Sequence, residues 1–157
     1  MKNEHPSVKE MWQKYLLSID ENPRNTMKSY DSWYFCDNEP DANELAELVL
    51  QGKKRGTASL YQLFGLQNED VPQEGWLSII TNWAGEAQCI IETIKVDIVP
   101  FKEVTPEFAA IEGEGDKSLQ YWRDAHWRFF SRELAERELT PSEDMLVVCE
   151  QFRVVHH

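Results

Sequence analysis

Apolar residues return along this chain at two periods, and the switches between them lay out an alternation of helices and strands. Val8, Met11, Trp12, Tyr15, Leu16 and Ile19 recur at helical spacing behind Pro6 and Ser7, which predicts a helix over residues 6–20. Trp33-Tyr34-Phe35 is a short aromatic patch. Leu45, Leu48 and Val49 then mark a second helix over 41–51, with Asp41 as its cap and Gly52 where a helix end favours a left-handed residue. Residues 57–64 read as a strand or a short mixed segment. Residues 76–83 and 87–99 are rich in β-branched and aromatic side chains, with Ala84-Gly85-Glu86 as a hairpin turn between them. Thr105-Pro106-Glu107 opens a short helix to about Ile111, with a hydroxyl cap, proline in the first turn and an acid at the positive end of the dipole. The longest helix is expected over 117–138, closed by Thr140-Pro141, and a last strand over 144–155. Helices and antiparallel strands in this order give an α+β class. There is no internal repeat, and residues 1–29 read as an N-terminal helix and lead-in to a domain over 30–157.

Composition narrows the classes of function. At 157 residues the chain suits one domain and buries roughly two-thirds of its unfolded surface. Its formal net charge of −12 excludes tight, non-specific binding to long duplex DNA, which needs many cations to displace counterions. A nucleoside or a short single-stranded RNA fits better, as does a monomer or homodimer. Cys36, Cys89 and Cys149 are odd in number and widely spaced, so three reduced thiols are expected. The polar start and the lack of a long apolar run point to the cytoplasm and away from a membrane. His5 is expected in a disordered terminus.

Two constellations can carry chemistry. In Gly52-Lys53-Lys54-Arg55-Gly56-Thr57, three cations stand together in an acidic chain. The group is either a solvated basic turn at a helix C-terminus or a pocket for an anion or nucleobase. A Thr57 hydroxyl needs an adjacent base to become a nucleophile, and Lys54 can serve if burial or the neighbouring cations lower its pKa. The i, i+3 spacing unites the two only if the segment turns helically. In Glu112-Gly113-Glu114-Gly115-Asp116, three carboxylates gather on a flexible backbone, as an acidic loop leading into the next helix or as a source of an acid or base. His126 lies on the helix face of Trp122 and reads as structural. Trp33, Tyr34, Tyr61 and Trp83 can stack on bases, although most are expected in the core. No cluster of metal ligands is visible, and no phosphate loop, dinucleotide fingerprint or nucleophile elbow occurs, so no cofactor is expected.

Gly52-x-Lys54-x-x-Thr57 resembles the GxKxxT motif of ASCH domains. Pro100-Phe101-x-x-Val104, Phe108-Ala109 and Glu112-Gly113-Glu114-Gly115-Asp116-x-Ser118-Leu119-x-x-Trp122-Arg123-x-x-His126 resemble the signature of a longer bacterial branch. The resemblance spans roughly residues 30–155. It implies a PUA-like fold, a small mixed or antiparallel β-barrel with flanking helices, and a cleft lined by the motif. One small branch of that family is an amidohydrolase that deacetylates N4-acetylcytidine with a Lys, a Thr and a Glu. By motif the first two are Lys54 and Thr57; the Glu, whose flanking sequence differs from the branch, is Glu114 as first choice and Glu112 as second. Gly52, Lys53, Arg55, Glu112, Ser118 and Arg123 would then bind substrate. Other members imply a single-stranded RNA-binding protein, a metal-independent ribonuclease, or a regulatory module without catalysis. Arg55-Gly56 stands where the branch more often has Thr-Ala.

Overall fold

The computed structural model describes residues 3–157. In chain order it contains α1 (Pro6–Ser18), β1 (Tyr30–Trp33), α2 (Glu39–Leu50), β2 (Gly56–Leu60), α3 (Tyr61–Leu66), β3 (Leu77–Thr81), β4 (Ala87–Pro100), a 3₁₀ turn (Phe101–Glu103), α4 (Pro106–Glu112), α5 (Leu119–Ala135) and β5 (Leu146–His156).

Local chemistry sets most of these boundaries. His5 is not disordered: its imidazole accepts from the Ser7 N–H and caps α1. Asn38, rather than Asp41, caps α2, because the Asn38 side chain reaches the Asp41 N–H at 3.0 Å. The buried residues of α2 are Ala42, Ala46 and Val49, with Leu45 and Leu48 only half-buried. Thr105 caps α4 through the Phe108 N–H, and Ser118 caps α5 through the Tyr121 N–H, so the long helix starts at Leu119. Residues 61–66 turn helical instead of extending β2.

The five strands form one sheet in the order β1-β3-β4-β5-β2. β3 pairs antiparallel with β4, and β2 antiparallel with β5. β1 pairs parallel with β3, Tyr30 opposite Leu77, so the strands are not all antiparallel. Four residues were too few to show a period, and α2 lies in the connection that a parallel pair requires. The expected barrel is open. A barrel closes only when its outer strands pair, whereas here the order ends on β1 and β2, of four and five residues.

By contacts the chain forms two compact units. One comprises the chain through Gly52 with Gly75–Thr93 and Arg153–His157. In it Val8, Trp12, Tyr15 and Leu16 of α1 pack on Leu77, Ile79 and Ile90. The other comprises Lys53–Glu74 and Ile94–Phe152. Its core joins Phe108 and Ala109 of α4 and Trp122, Phe130 and Leu134 of α5 to Leu60, Val147 and Cys149. Removing such side chains from water is the main stabilising force, about 25 cal/mol per Å² of apolar surface. Cys89 and Cys149 are buried thiols and Cys36 is half-buried, all three free. No described helix is long and apolar enough to cross a membrane.

Candidate functional site

The second unit brings its ionisable groups together where α4 ends. Gly113 follows Glu112 with φ of 72°, and a Cβ on it would lie 1.9 Å from the Lys53 carbonyl oxygen. Only glycine takes this backbone and this approach without strain. Beside it the Arg55 N–H donates to the Ile111 carbonyl at 2.8 Å. The segment before β2 is thereby clamped to the end of α4, and Lys54 is delivered to the carboxylates that follow.

Lys54 Nζ lies 3.1 Å from Glu114 Oε2 and 3.4 Å from Glu112 Oε1. The Lys54 and Glu112 side chains are each 1% exposed, whereas Glu114 keeps 20%. Glu112 also accepts from the Trp122 indole N–H, and its Oε2 lies 3.1 Å from His126 Nε2. Trp122 and His126 are one turn apart on α5 and stack at 4.2 Å with 15° between planes. The other ring nitrogen of His126 faces the Trp122 carbonyl at 2.8 Å. Both partners of the imidazole are therefore acceptors, and only the doubly protonated ring satisfies both.

Charge follows from these contacts. Burial alone opposes ionisation of Lys54, but the charges and hydrogen bonds of Glu114 and Glu112 outweigh it and raise its pKa. Burial likewise disfavours charge on Glu112, yet His126, Lys54 and the Trp122 N–H bring its carboxyl down to about 2. His126 is raised: burial opposes its charge, and Glu112, Glu114 and the Trp122 carbonyl overcome that. The cluster is thus two cations facing two carboxylates. Lys54 is an ammonium with no capacity to accept a proton, so the expectation of a lowered lysine pKa does not hold. The cations gained carboxylate partners rather than other cations.

Glu112, Glu114 and His126 also place one donor atom each within 4.8 Å of one another, a grouping not visible in the sequence because it spans two helices and the turn between them. The Lys54 ammonium already stands against both carboxylates and His126 against Glu112, so a metal ion would have to displace these charges.

Strand geometry decides where the rest of the motif goes. A Cβ on Gly56 would face Phe108 and Ile111 of α4, and Ala58 and Leu60 pack into the helical core. Successive side chains of a strand alternate, so Thr57 and Ser59 take the other face of the sheet. Lys54 precedes β2 and faces the carboxylates at the end of α4, while Thr57 is the second residue of the strand. From Gly56 onward the segment is a strand and not a helical turn. Thr57 is half-buried and stands directly opposite Glu150 of β5. The Arg55 carbonyl accepts from the Phe152 N–H at 3.0 Å and continues the ladder, so the exposed Arg55 side chain shares the Thr57 face. Glu150, 6% exposed, is a group that sequence reasoning passed over. It is polar within a run of apolar strand residues, and that was the available signal.

The remaining candidates have plainer places. Gly52 follows the end of α2 with φ of 75°, and Lys53 is exposed. Ser118 caps α5, its own N–H bound by Asp116. Arg123 Nη2 donates to the Lys102 carbonyl at 3.2 Å, and its buried Nε has no hydrogen-bond partner among the described residues. Tyr61 and Trp83 are more exposed than a core role implies, at 42% and 38%, and Trp83 packs on Tyr34 at 4.8 Å.

The family model for the ASCH domain matches residues 31–156. The chain belongs to the ASCH family. A crystal structure of the ASCH domain from Lactobacillus crispatus JV V101 is 40% identical, with a TM-score of 0.89 over 100% of this chain and 99% of that one. Protein EF3133 from Enterococcus faecalis V583 is 35% identical, with a TM-score of 0.85 over 96% of this chain and 88% of that one. No curated protein matches at a significant level. Of the ASCH motif, Lys54 thus meets the carboxylates at the end of α4, and Thr57 is the second residue of β2.

Proposed function

We propose that this ASCH protein binds a nucleoside or short single-stranded RNA at the motif strand and removes the acetyl group from N4-acetylcytidine. The observation that carries the reading is the convergence of Lys54 with Glu114, 60 residues downstream, the pair that the family resemblance selects. Glu114 keeps solvent contact while Lys54 does not, so Glu114 is the member of the pair placed to meet a ligand. Lys54 contributes a fixed positive charge, and Thr57 contributes the hydroxyl that attacks the amide carbonyl. An acidic body of net charge −12 suits a small neutral substrate.

Acetylated cytidine incubated with pure protein and resolved by chromatography tests this directly. Cytidine should appear with the wild type and not with Thr57→Ala of unchanged melting temperature. Full activity in that variant excludes Thr57 as the nucleophile. A second reading, recognition of short RNA with or without cleavage, draws on the exposed Lys53 and Arg55 that flank the buried Lys54. It predicts affinity for single-stranded oligonucleotides that falls as salt rises, because each phosphate contact releases counterions. Absence of turnover together with salt-sensitive binding favours this second reading, and absence of both favours a regulatory module of other ligand.

A further inference from the structure

We infer that His126 is a positioning residue for Lys54, acting through Glu112 together with the Trp122 indole. The inference rests on the reading of Lys54 and Glu114 as the working pair of the site. All five residues belong to the second unit.

The two oxygens of Glu112 have separate tasks. The carboxylate accepts the Trp122 indole N–H on Oε2, and the same oxygen lies 3.1 Å from His126 Nε2. Oε1 faces Lys54 Nζ at 3.4 Å. Two ring donors on one oxygen fix the carboxylate, and that fixes where the other oxygen points. The rings are themselves held. They stack on each other, Phe101 lies 5.3 Å from Trp122, and Phe130 lies 5.5 Å from His126. A lysine stem is flexible, so its ammonium rests where its partners hold it. Glu112 holds it from the buried side, and Glu114 meets it at 3.1 Å from the side that keeps solvent contact. The buried acid thus aims the ammonium and leaves the other acid free to meet a ligand.

His126 gives this support only with both ring nitrogens protonated. Its Nδ1 faces the Trp122 carbonyl at 2.8 Å, and a carbonyl can only accept, so a ring with a single N–H spends it there. Nε2 would then turn a lone pair toward Glu112 Oε2, and the carboxylate would exchange an anchor for a repulsion. Against burial, Glu112 of α4 and Glu114 of the following turn draw the second proton onto the ring. Lys54 stands across Glu112, and the Cys149 thiol of β5 is neutral, because burial and then Glu112 push it up to about 12.

Nitrogen NMR of the pure protein reads this support without a substrate. Both ring nitrogens of His126 should carry a proton at about pH 7, above the ordinary histidine value. The Lys54 Nζ protons should exchange with water far more slowly than those of the exposed Lys53. His126→Phe keeps a stacked ring and removes both N–H groups. In it Nζ exchange should quicken at least about tenfold, and kcat for acetylcytidine should fall about 100-fold while KM holds, the effect of a small misplacement of a working group. Leu134→Val, about two turns further along α5, trims a buried side chain and should leave both readouts at wild-type values. If His126→Phe fails to fold, Trp122→Phe removes the other ring donor and should move both readouts the same way. A His126 ring with one proton, or Lys54 protons that exchange as fast as those of Lys53, overturns the proposal. So does a folded variant that keeps the wild-type Nζ exchange or the wild-type kcat, or a Leu134→Val that moves both as far. Nζ exchange that depends on His126, in a protein that does not deacetylate acetylcytidine, supports the positioning role and removes that substrate.

Discussion

Trp122 and His126 stack face to face on α5, and both turn a ring N–H toward the same Glu112 carboxylate. Glu112 also faces Lys54, so one buried acid ties helix α5 to the segment that enters β2. The GxKxxT motif is therefore placed by residues 55 and more positions downstream of it.

Glu112 is the hub of this arrangement. Glu112→Gln removes its charge and leaves Lys54 and His126 as buried cations with fewer partners. Breaking one side of a buried ion pair typically costs about 3–5 kcal/mol. Urea denaturation should show a loss of that order. A loss below about 1 kcal/mol would mean that the cluster is solvated in solution.

Stability should depend on pH in two opposite senses. The Glu112 pKa falls from 4.5 to about 2 on folding, so its contribution is present above pH 4.5 and is lost as pH drops toward 2. The His126 pKa is raised above 6.5, so its contribution is full below pH 6.5 and is lost as pH climbs through the folded value. For this pair, stability is greatest between about pH 4.5 and 6.5. Thermal melts from pH 3 to 9 should show that maximum, and His126→Asn should remove the decline on the alkaline side.

Gly113 and Gly52 share a left-handed backbone but differ in surroundings. A Cβ at Gly113 strikes the Lys53 carbonyl, whereas a Cβ at Gly52 meets nothing within 4 Å. Gly52→Ala should cost only the backbone strain, about 1 kcal/mol. Gly113→Ala should cost several times more and shift the NMR signals of Lys54 and Glu112. Equal costs would show that α4 and the Lys53 backbone separate easily.

Lys54→Ala and Thr57→Ala should lose activity for different reasons. The first leaves two carboxylates without their ammonium and should lower the melting temperature by several degrees, since about 1 kcal/mol corresponds to a few degrees at this size. The second removes a half-buried hydroxyl and should leave melting within about a degree. Parallel melts and turnover assays of both variants check this. An unaltered melting temperature in Lys54→Ala would show that the cluster does not stabilise the fold.

Much of the architecture was legible in the chain because it is written in short-range terms. Period, caps and turn residues act within a few positions, so α1, α4, α5, the β3–β4 turn and β5 were placed from local pattern. The EGEGD segment was recognised, and its glycines prove to be the residues that allow contact with Lys53 and with the Tyr121 ring. β1 escaped because four residues carry no period, and its partner in the sheet lies more than forty positions away.

The chemistry of the candidate site was decided elsewhere. Sequence supplied Lys54, Thr57, Glu112 and Glu114 as residue types, but the sign of a pKa shift depends on neighbours that only folding brings together. Lys53 and Arg55 stand next to Lys54 in the chain, yet Lys54 is set by Glu112 and Glu114, 58 and 60 residues on. Glu150 stands opposite Thr57 only because β5 pairs with β2 in one register, and a slip of a single residue would turn it to the other face. Sequence by itself determined most of the elements and the motif, since both rest on contacts a few residues apart. Tertiary structure alone decided which carboxylate faces which partner, because Coulomb and hydrogen-bond terms depend on distances in space.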